Sequence, residues 1–202
     1  AGLEWNTILP NAATDNAIVR FNGAAGNPVP GQTSGMAITD DGALQSSPTG
    51  GNARGSMAVD LQVDRTLATQ VASGADSVLG GGRNNSATGA GSAVLSGDGN
   101  LASGANALVS GGTANQATAQ ESCACAGSTN LASGARSFVG GGITNGATAT
   151  DAGIACGNGN NAAGLRSFVG GGSANTASGD DSAICAGGDN QATAQGAFVG
   201  GG

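Results

Sequence analysis

Four cysteines are the side chains best suited to chemistry in this sequence of 202 residues, which contains no histidine and no tyrosine. A thiolate attacks a substrate with the help of a nearby base, and it binds zinc together with other cysteines or with histidines. Cys123 and Cys125 are separated by one residue, whereas Cys156 and Cys185 follow much later in the chain. Because this spacing contains no CxxC pair, we interpret the cysteines as small apolar filler and leave disulfides between chains open.

Two further patterns have some features of ligand-binding loops. The turn SGDGN contains Asp98, but the acidic residue does not recur in the later repeats, as calcium-binding β-rolls require. The VGGG triplets are followed by no lysine, which phosphate-binding loops need. We therefore expect no metal, no cofactor and no catalytic site, and we interpret the protein as non-enzymatic.

Charge and composition limit the partners. The chain has 13 acidic and six basic residues, a net charge of −7 and only 2% aromatic residues. An acidic protein lacks the basic surface that neutralises phosphates, so we expect no nucleic-acid partner. Its apolar runs are all shorter than the roughly 20 residues that span a bilayer, so we expect no membrane insertion.

A repeat of fifteen residues organises the chain from Ala75 onward. Units such as ADSVLGGGRNNSATG follow one another without insertion, and the last breaks off at Gly202, which suggests that the natural chain continues. With Ala75 as position 1, position 8 is always Gly, position 11 always Asn, position 13 always Ala and position 5 always apolar. Several glycines per unit disfavour helices, so the pattern predicts an all-β fold, a β-solenoid with one coil per unit. We expect strands near positions 3–7 and 11–14.

The Asn column at position 11 is expected to hold successive coils together. Asn tolerates the left-handed backbone region, and stacked side-chain amides can hydrogen-bond from coil to coil. The column comprises Asn85, Asn100, Asn115, Asn130, Asn145, Asn160, Asn175 and Asn190.

Position 4 is the candidate contact between copies of the chain. Side chains at positions 4 and 6 share one face of a strand, while position 5 lies on the other. If position 5 and the Ala column fill the inside of the coil, position 4 faces outward and requires identical neighbours. The alternative places position 4 in the core and position 5 outside. The predicted interface comprises Val78, Leu108, Cys123, Phe138, Phe168 and Phe198.

Charges at position 2 alternate in sign along consecutive coils: Glu121, Arg136, Asp151, Arg166 and Asp181. Coils about 4.8 Å apart would place each charge between two opposite charges. Exposed ion pairs contribute little, so this ladder should fix the register of the coils more than their stability.

Three segments precede the repeat. DLQVDRTLATQVASG (60–74) ends like a unit and is predicted to form a capping coil of fifteen residues. The stretches 16–23 and 36–45 are typical of strands, and the second is predicted to fold into a hairpin at Asp41 and Gly42. The first residues contain apolar side chains that form either a docking peptide for a partner or a cover for the chain's own strands. They are Leu3, Trp5, Ile8 and Leu9.

The strings TDNAIVRFNGAAG, MAITDDGALQ and GNARGSMAVDLQVDRTLATQVASG, followed by units such as RSFVGGGSANTASG, resemble tail-fibre proteins of tailed bacteriophages and prophages. The units are also similar to the head repeats of trimeric autotransporter adhesins of the YadA type. The resemblance implies a left-handed parallel β-roll with three chains around one axis, so that position 4 becomes a trimer interface. It divides the chain into a virion-docking segment (1–35), a β connector with a capping coil (36–74) and a β-roll shaft (75–202).

The resemblance also implies a structural protein of the virion tail that is extracellular after release. The N-terminal segment would dock to other tail or baseplate proteins, and a distal region would reach a host surface receptor. The alternative is an autotransporter-type adhesin head that binds a host surface directly. The lead-in NAIVRFNG favours the phage fibre.

Overall fold

A computed structural model describes residues 37–38, 44–45, 52–62 and 64–202. The described chain contains no helix and forms a parallel β-solenoid of about nine turns with about 15 residues per coil, which confirms the prediction of an all-β solenoid with one coil per unit. Each coil contributes one strand to a long sheet at positions 4 and 5 and one strand to a second sheet at positions 12 and 13.

The strands are two residues long, shorter than the sequence predicts. The long sheet contains, in spatial order, β1 Ala37–Ile38, β2 Leu44–Gln45, β3 Val59–Asp60, β4 Val78–Leu79, β6 Ala93–Val94, β8 Leu108–Val109, β10 Cys123–Ala124, β12 Phe138–Val139, β14 Gly153–Ile154, β16 Phe168–Val169, β18 Ala183–Ile184 and β20 Phe198–Val199. The second sheet contains β5 Ser86–Ala87, β7 Leu101–Ala102, β9 Gln116–Ala117, β11 Leu131–Ala132, β13 Gly146–Ala147, β15 Asn161–Ala162, β17 Thr176–Ala177 and β19 Gln191–Ala192. Parallel bridges at position 9, such as Arg83 with Asp98, join the coils along a third line.

Left-handed backbone residues produce the corners between these short strands. They recur at position 2, at position 8 and at position 10, for example Arg136, Gly142 and Thr144 with φ of 56°, 92° and 56°. A β-carbon on Gly142 would collide with the carbonyl oxygen of Gly157 in the next coil, so both sterics and φ require glycine at position 8. The Asn column is not left-handed, contrary to expectation, because the residue before it makes the turn.

The core inside the coil is thin. Position 5 and the Ala column supply it, and residues such as Val94, Ile154 and Ala147 are fully buried. Burying one Val or Ile per coil contributes about 1.5–3 kcal/mol, so hydrogen bonds between coils carry much of the remaining cohesion.

The coil before the repeat differs from the prediction. Val59 pairs with Val78 and Ala72 with Ala87, so the offset is 19 residues at the first strand and 15 at the second. The capping coil therefore starts earlier than Asp60 and contains four additional residues between Asp64 and Ala72. Asp60 replaces the usual apolar residue at position 5. Its buried carboxylate accepts a hydrogen bond from Nε of Arg54 at 2.9 Å.

The predicted hairpin is present at the backbone level. β1 and β2 pair antiparallel, with Ala37 opposite Gln45 and Ile38 opposite Leu44, and they flank the predicted turn. The turn itself, the predicted strand 16–23 and the docking residues Leu3, Trp5, Ile8 and Leu9 lie outside the described residues.

Candidate assembly face and asparagine ladder

The outward face of the long sheet carries the phenylalanines of position 4. Phe138, Phe168 and Phe198 are 43%, 45% and 70% exposed, while Val139 and Val169 beside them are fully buried. The alternative assignment, with position 4 in the core, is therefore wrong. We call the side chains at positions 4 and 6 along the long sheet, from β4 to β20, the outer face. The structure places every predicted interface residue on it: Val78, Leu108, Cys123, Phe138, Phe168 and Phe198.

Glycines on the outer face make room for the phenylalanine rings of the same chain. A β-carbon at Gly153 would lie 3.1 Å from Cδ2 of Phe168, in the next coil. One at Gly140 would collide with the carbonyl oxygen of Ala155 in the next coil and would also lie 3.3 Å from the ring of Phe138, two residues earlier in the same coil. The alternation of large and small residues thus first satisfies packing within the chain, and the exposed side of each ring remains available to a partner.

Cys123 and Cys125 lie together on the outer face. Their Sγ atoms are 3.1 Å apart, and both side chains are half-buried. Burial and the neighbouring Cys125 thiol raise the pKa of Cys123 to about 12, so this thiol is protonated at neutral pH. Cys156 and Cys185 are exposed single thiols in later coils.

The Asn column forms a continuous hydrogen-bond ladder inside the solenoid. Asn145 is buried, and its Nδ2 donates to the carbonyl oxygens of Gly141 in its own coil and Gly157 in the next, both at 2.9 Å. Its Oδ1 accepts the backbone N–H of Asn160 at 2.9 Å. The same pattern repeats from Asn85 to Asn190, so each amide closes its own turn and holds the following coil.

Gln62 begins the ladder, a role that sequence reasoning missed. Its Oε1 accepts the backbone N–H of Asn85 at 2.9 Å, as an Asn of the column does for the next coil. Its Nε2 donates to the carbonyl oxygen of Asn85 at 3.0 Å and to that of Gln70. The longer side chain compensates for the altered path of the 19-residue coil. Gln70, not Gln62, aligns with the Asn column, so the sequence pattern gave no signal for this role.

Charges at position 2 form separate pairs rather than the expected continuous ladder. Arg136 binds both carboxylate oxygens of Asp151, at 2.7 and 2.8 Å, and Arg166 binds those of Asp181 at 2.6 and 2.8 Å. These hydrogen bonds hold the pKa of both carboxyls below the ordinary value. Each Arg chelates only the Asp of the following coil, because a planar guanidinium makes one bidentate contact at a time. Glu121 is not part of either pair.

In the described part of the chain, His, Cys, Asp and Glu side chains nowhere gather in threes or more as a metal site requires. Within the same residues there is no helix of the length and apolarity needed to cross a bilayer. The described residues offer two distinct features. The exposed apolar face is suited to assembly, and the buried amide ladder is suited to stiffness.

No protein-family model matches this chain, and no curated protein matches it either.

Proposed function

We propose that this protein is the shaft of a bacteriophage tail fibre, a left-handed β-roll in which three copies surround a common axis. The observation that carries the proposal is the row of exposed rings at Phe138, Phe168 and Phe198, aligned along one side of the solenoid. Exposed apolar rows of this kind mark contact surfaces. The core behind them is one residue thick, so burial against identical neighbours adds much of the apolar area that a single coil lacks.

The number of copies and the phage assignment rest on the resemblance of the repeats and of the N-terminal strings to tail fibres. The N-terminal segment would dock to other tail or baseplate proteins of the virion, and a distal region would contact the host receptor. The repeats between them act as a spacer. At about 4.8 Å per coil, eight full units extend about 40 Å.

Stiffness is the physical property that such a spacer needs. Backbone hydrogen bonds run from coil to coil, for example from N–H of Phe138 to the carbonyl of Ala152 at 3.0 Å and from N–H of Ala155 to that of Val169 at 3.0 Å. The buried Asn ladder runs parallel to them. Bending the rod would stretch both sets at once, so a force at one end reaches the other with little loss.

Assembly tests the proposal directly. The mass in solution, measured by sedimentation or light scattering, should be three times the chain mass of 18.7 kDa. Phe168→Asp places a charge on the outer face and should abolish the trimer. Thr148→Asp is the matched control, because Thr148 is exposed at position 14, directly after β13 of the second sheet.

A stable wild-type monomer, or equal behaviour of the two aspartate variants, would overturn the assembly mechanism. The virion role is tested separately by imaging phage particles labelled with an antibody against the repeats. Label along the tail fibre supports the proposal. Label on a bacterial outer surface without phage would favour the autotransporter-type adhesin.

A further inference from the structure

Cys123 and Cys125 differ from the other cysteines in having a thiol partner. Their Sγ atoms are 3.1 Å apart, closer than two non-bonded sulfurs normally approach, and about 1 Å from the length of a disulfide bond. Cys125 directly follows β10 and still pairs with the next coil through its N–H, so positions 4 and 6 lie on one face and the Cys125 thiol lies beside that of Cys123. Residues two apart are at most about 7 Å apart between Cα atoms, close to the range that disulfides span.

The remaining cysteines cannot compete for either thiol within one chain. Cys156 lies two coils beyond Cys125 and Cys185 four coils beyond it, which at about 4.8 Å per coil separates them by roughly 10 and 20 Å. Cys185 occupies the same position 6 as Cys125, but its neighbour at position 4 is Ala183. The fold thus pairs two of the four thiols and isolates the other two.

We propose that Cys123 and Cys125 form a disulfide within a single coil when the protein meets a small-molecule disulfide such as oxidised glutathione. The Cys125 thiolate attacks one sulfur of the oxidised glutathione, forms a mixed disulfide and releases one glutathione thiol. The Cys123 thiolate then attacks the sulfur of Cys125 and releases the second glutathione thiol. The two protein thiols are oxidised, and one molecule of oxidised glutathione is reduced to two thiols.

The surroundings of the pair affect its rate of closure. Cys123 pairs with Leu108 on one side and Phe138 on the other, so its thiol lies among apolar neighbours. Because its pKa is raised to about 12, the closing step is slow at neutral pH and accelerates in alkaline solution.

Trypsin digestion can locate the bond because the six cationic residues are all arginines. Cleavage after Arg83 and Arg136 yields fragment 84–136, which carries both thiols of the pair. Cys156 falls in fragment 137–166 and Cys185 in fragment 167–202. The full-length protein is incubated with oxidised glutathione in alkaline buffer, its free thiols are alkylated in denaturant, and the fragments are weighed.

We expect fragment 84–136 to lose the mass of two hydrogen atoms and to take up no alkyl group, while Cys156 and Cys185 carry glutathione or alkyl groups. Cys125→Ser should abolish the loss, and Cys156→Ser should preserve it. Ala183→Cys recreates the pair in the coil of Cys185, so fragment 167–202 should then also lose two hydrogens. Recovery of fragment 84–136 with two alkyl groups, with two glutathiones or joined to a second fragment would overturn the proposal.

Discussion

The ring of Phe168 lies against the α-carbon of Gly153 in the preceding coil, close enough that a β-carbon at residue 153 would stand 3.1 Å from Cδ2 of the ring. Strands β14 and β16 pair these two residues in register. The glycine therefore determines how closely the ring packs on the sheet and which surface of the ring remains exposed. The shape of the outer face is thus determined by neighbouring residues of one chain before any second chain is present.

Gly153→Val should weaken assembly without unfolding the solenoid. The branched side chain lifts the ring of Phe168 away from the sheet and alters the surface that the copies share. Gly146→Val is the matched control, because Gly146 also begins a two-residue strand but its nearest side-chain atoms are 3.7 Å from a β-carbon. Sedimentation over a range of concentrations should show weaker association for the first variant only. Equal association of both would show that the position of the ring is irrelevant.

Asn145→Ala should destabilise the fold by about 2–4 kcal/mol, because it removes three hydrogen bonds of the ladder and leaves one carbonyl and one buried N–H without a partner. The carbonyl belongs to Gly141 and the N–H to Asn160, whereas the carbonyl of Gly157 keeps its bond from the N–H of Ile143 at 2.9 Å. Asn161→Ala is the control, since Asn161 lies half-buried at position 12 outside the ladder. Guanidinium denaturation measures the loss, and hydrogen exchange should show faster exchange of the Asn160 amide. An unchanged midpoint would contradict a stabilising role for the ladder.

Stability should fall in acid through the carboxylates of position 2. Hydrogen bonds from Arg136 and Arg166 lower the pKa of Asp151 and Asp181 in the folded state. A lowered folded pKa contributes stability above the unfolded value of about 3.9, and that contribution is lost as pH falls through the folded pKa. The double variant Arg136→Gln, Arg166→Gln should therefore show a flatter dependence of unfolding free energy on pH below about 4. Identical pH profiles of variant and parent would contradict this account.

The strict period made the regular coils predictable, but it did not predict the start and the length of the capping coil. Fifteen-residue spacing, the Ala column and the apolar residue at position 5 predict one coil per unit and a thin core, because these features depend on local geometry alone. Asp60 and Gln62 are buried only because a 19-residue coil brings Arg54 and Asn85 to them. Four additional residues conceal that relationship from any comparison at a fixed period.

Among the site residues, the outward orientation of position 4 could be predicted from strand alternation. The contacts within the cysteine pair and the ion pairs could not. Strand alternation places Cys123 and Cys125 on one face, but the 3.1 Å separation of their Sγ atoms depends on side-chain rotamers that the sequence does not specify. The separate ion pairs depend on the planar geometry of arginine. The alternating charges at position 2 therefore predicted a more continuous ladder than the structure forms.

Large and small residues alternate on the outer face, so the protein has two natural increments of length. Adding or removing one coil preserves the amide ladder. Deleting a coil such as 150–164, however, would bring Phe138 directly against Phe168. Only a change of two coils, about 10 Å, preserves both the interior bonding and the exterior pattern. Lengthening of such a rod during evolution is therefore expected in duplications of thirty residues.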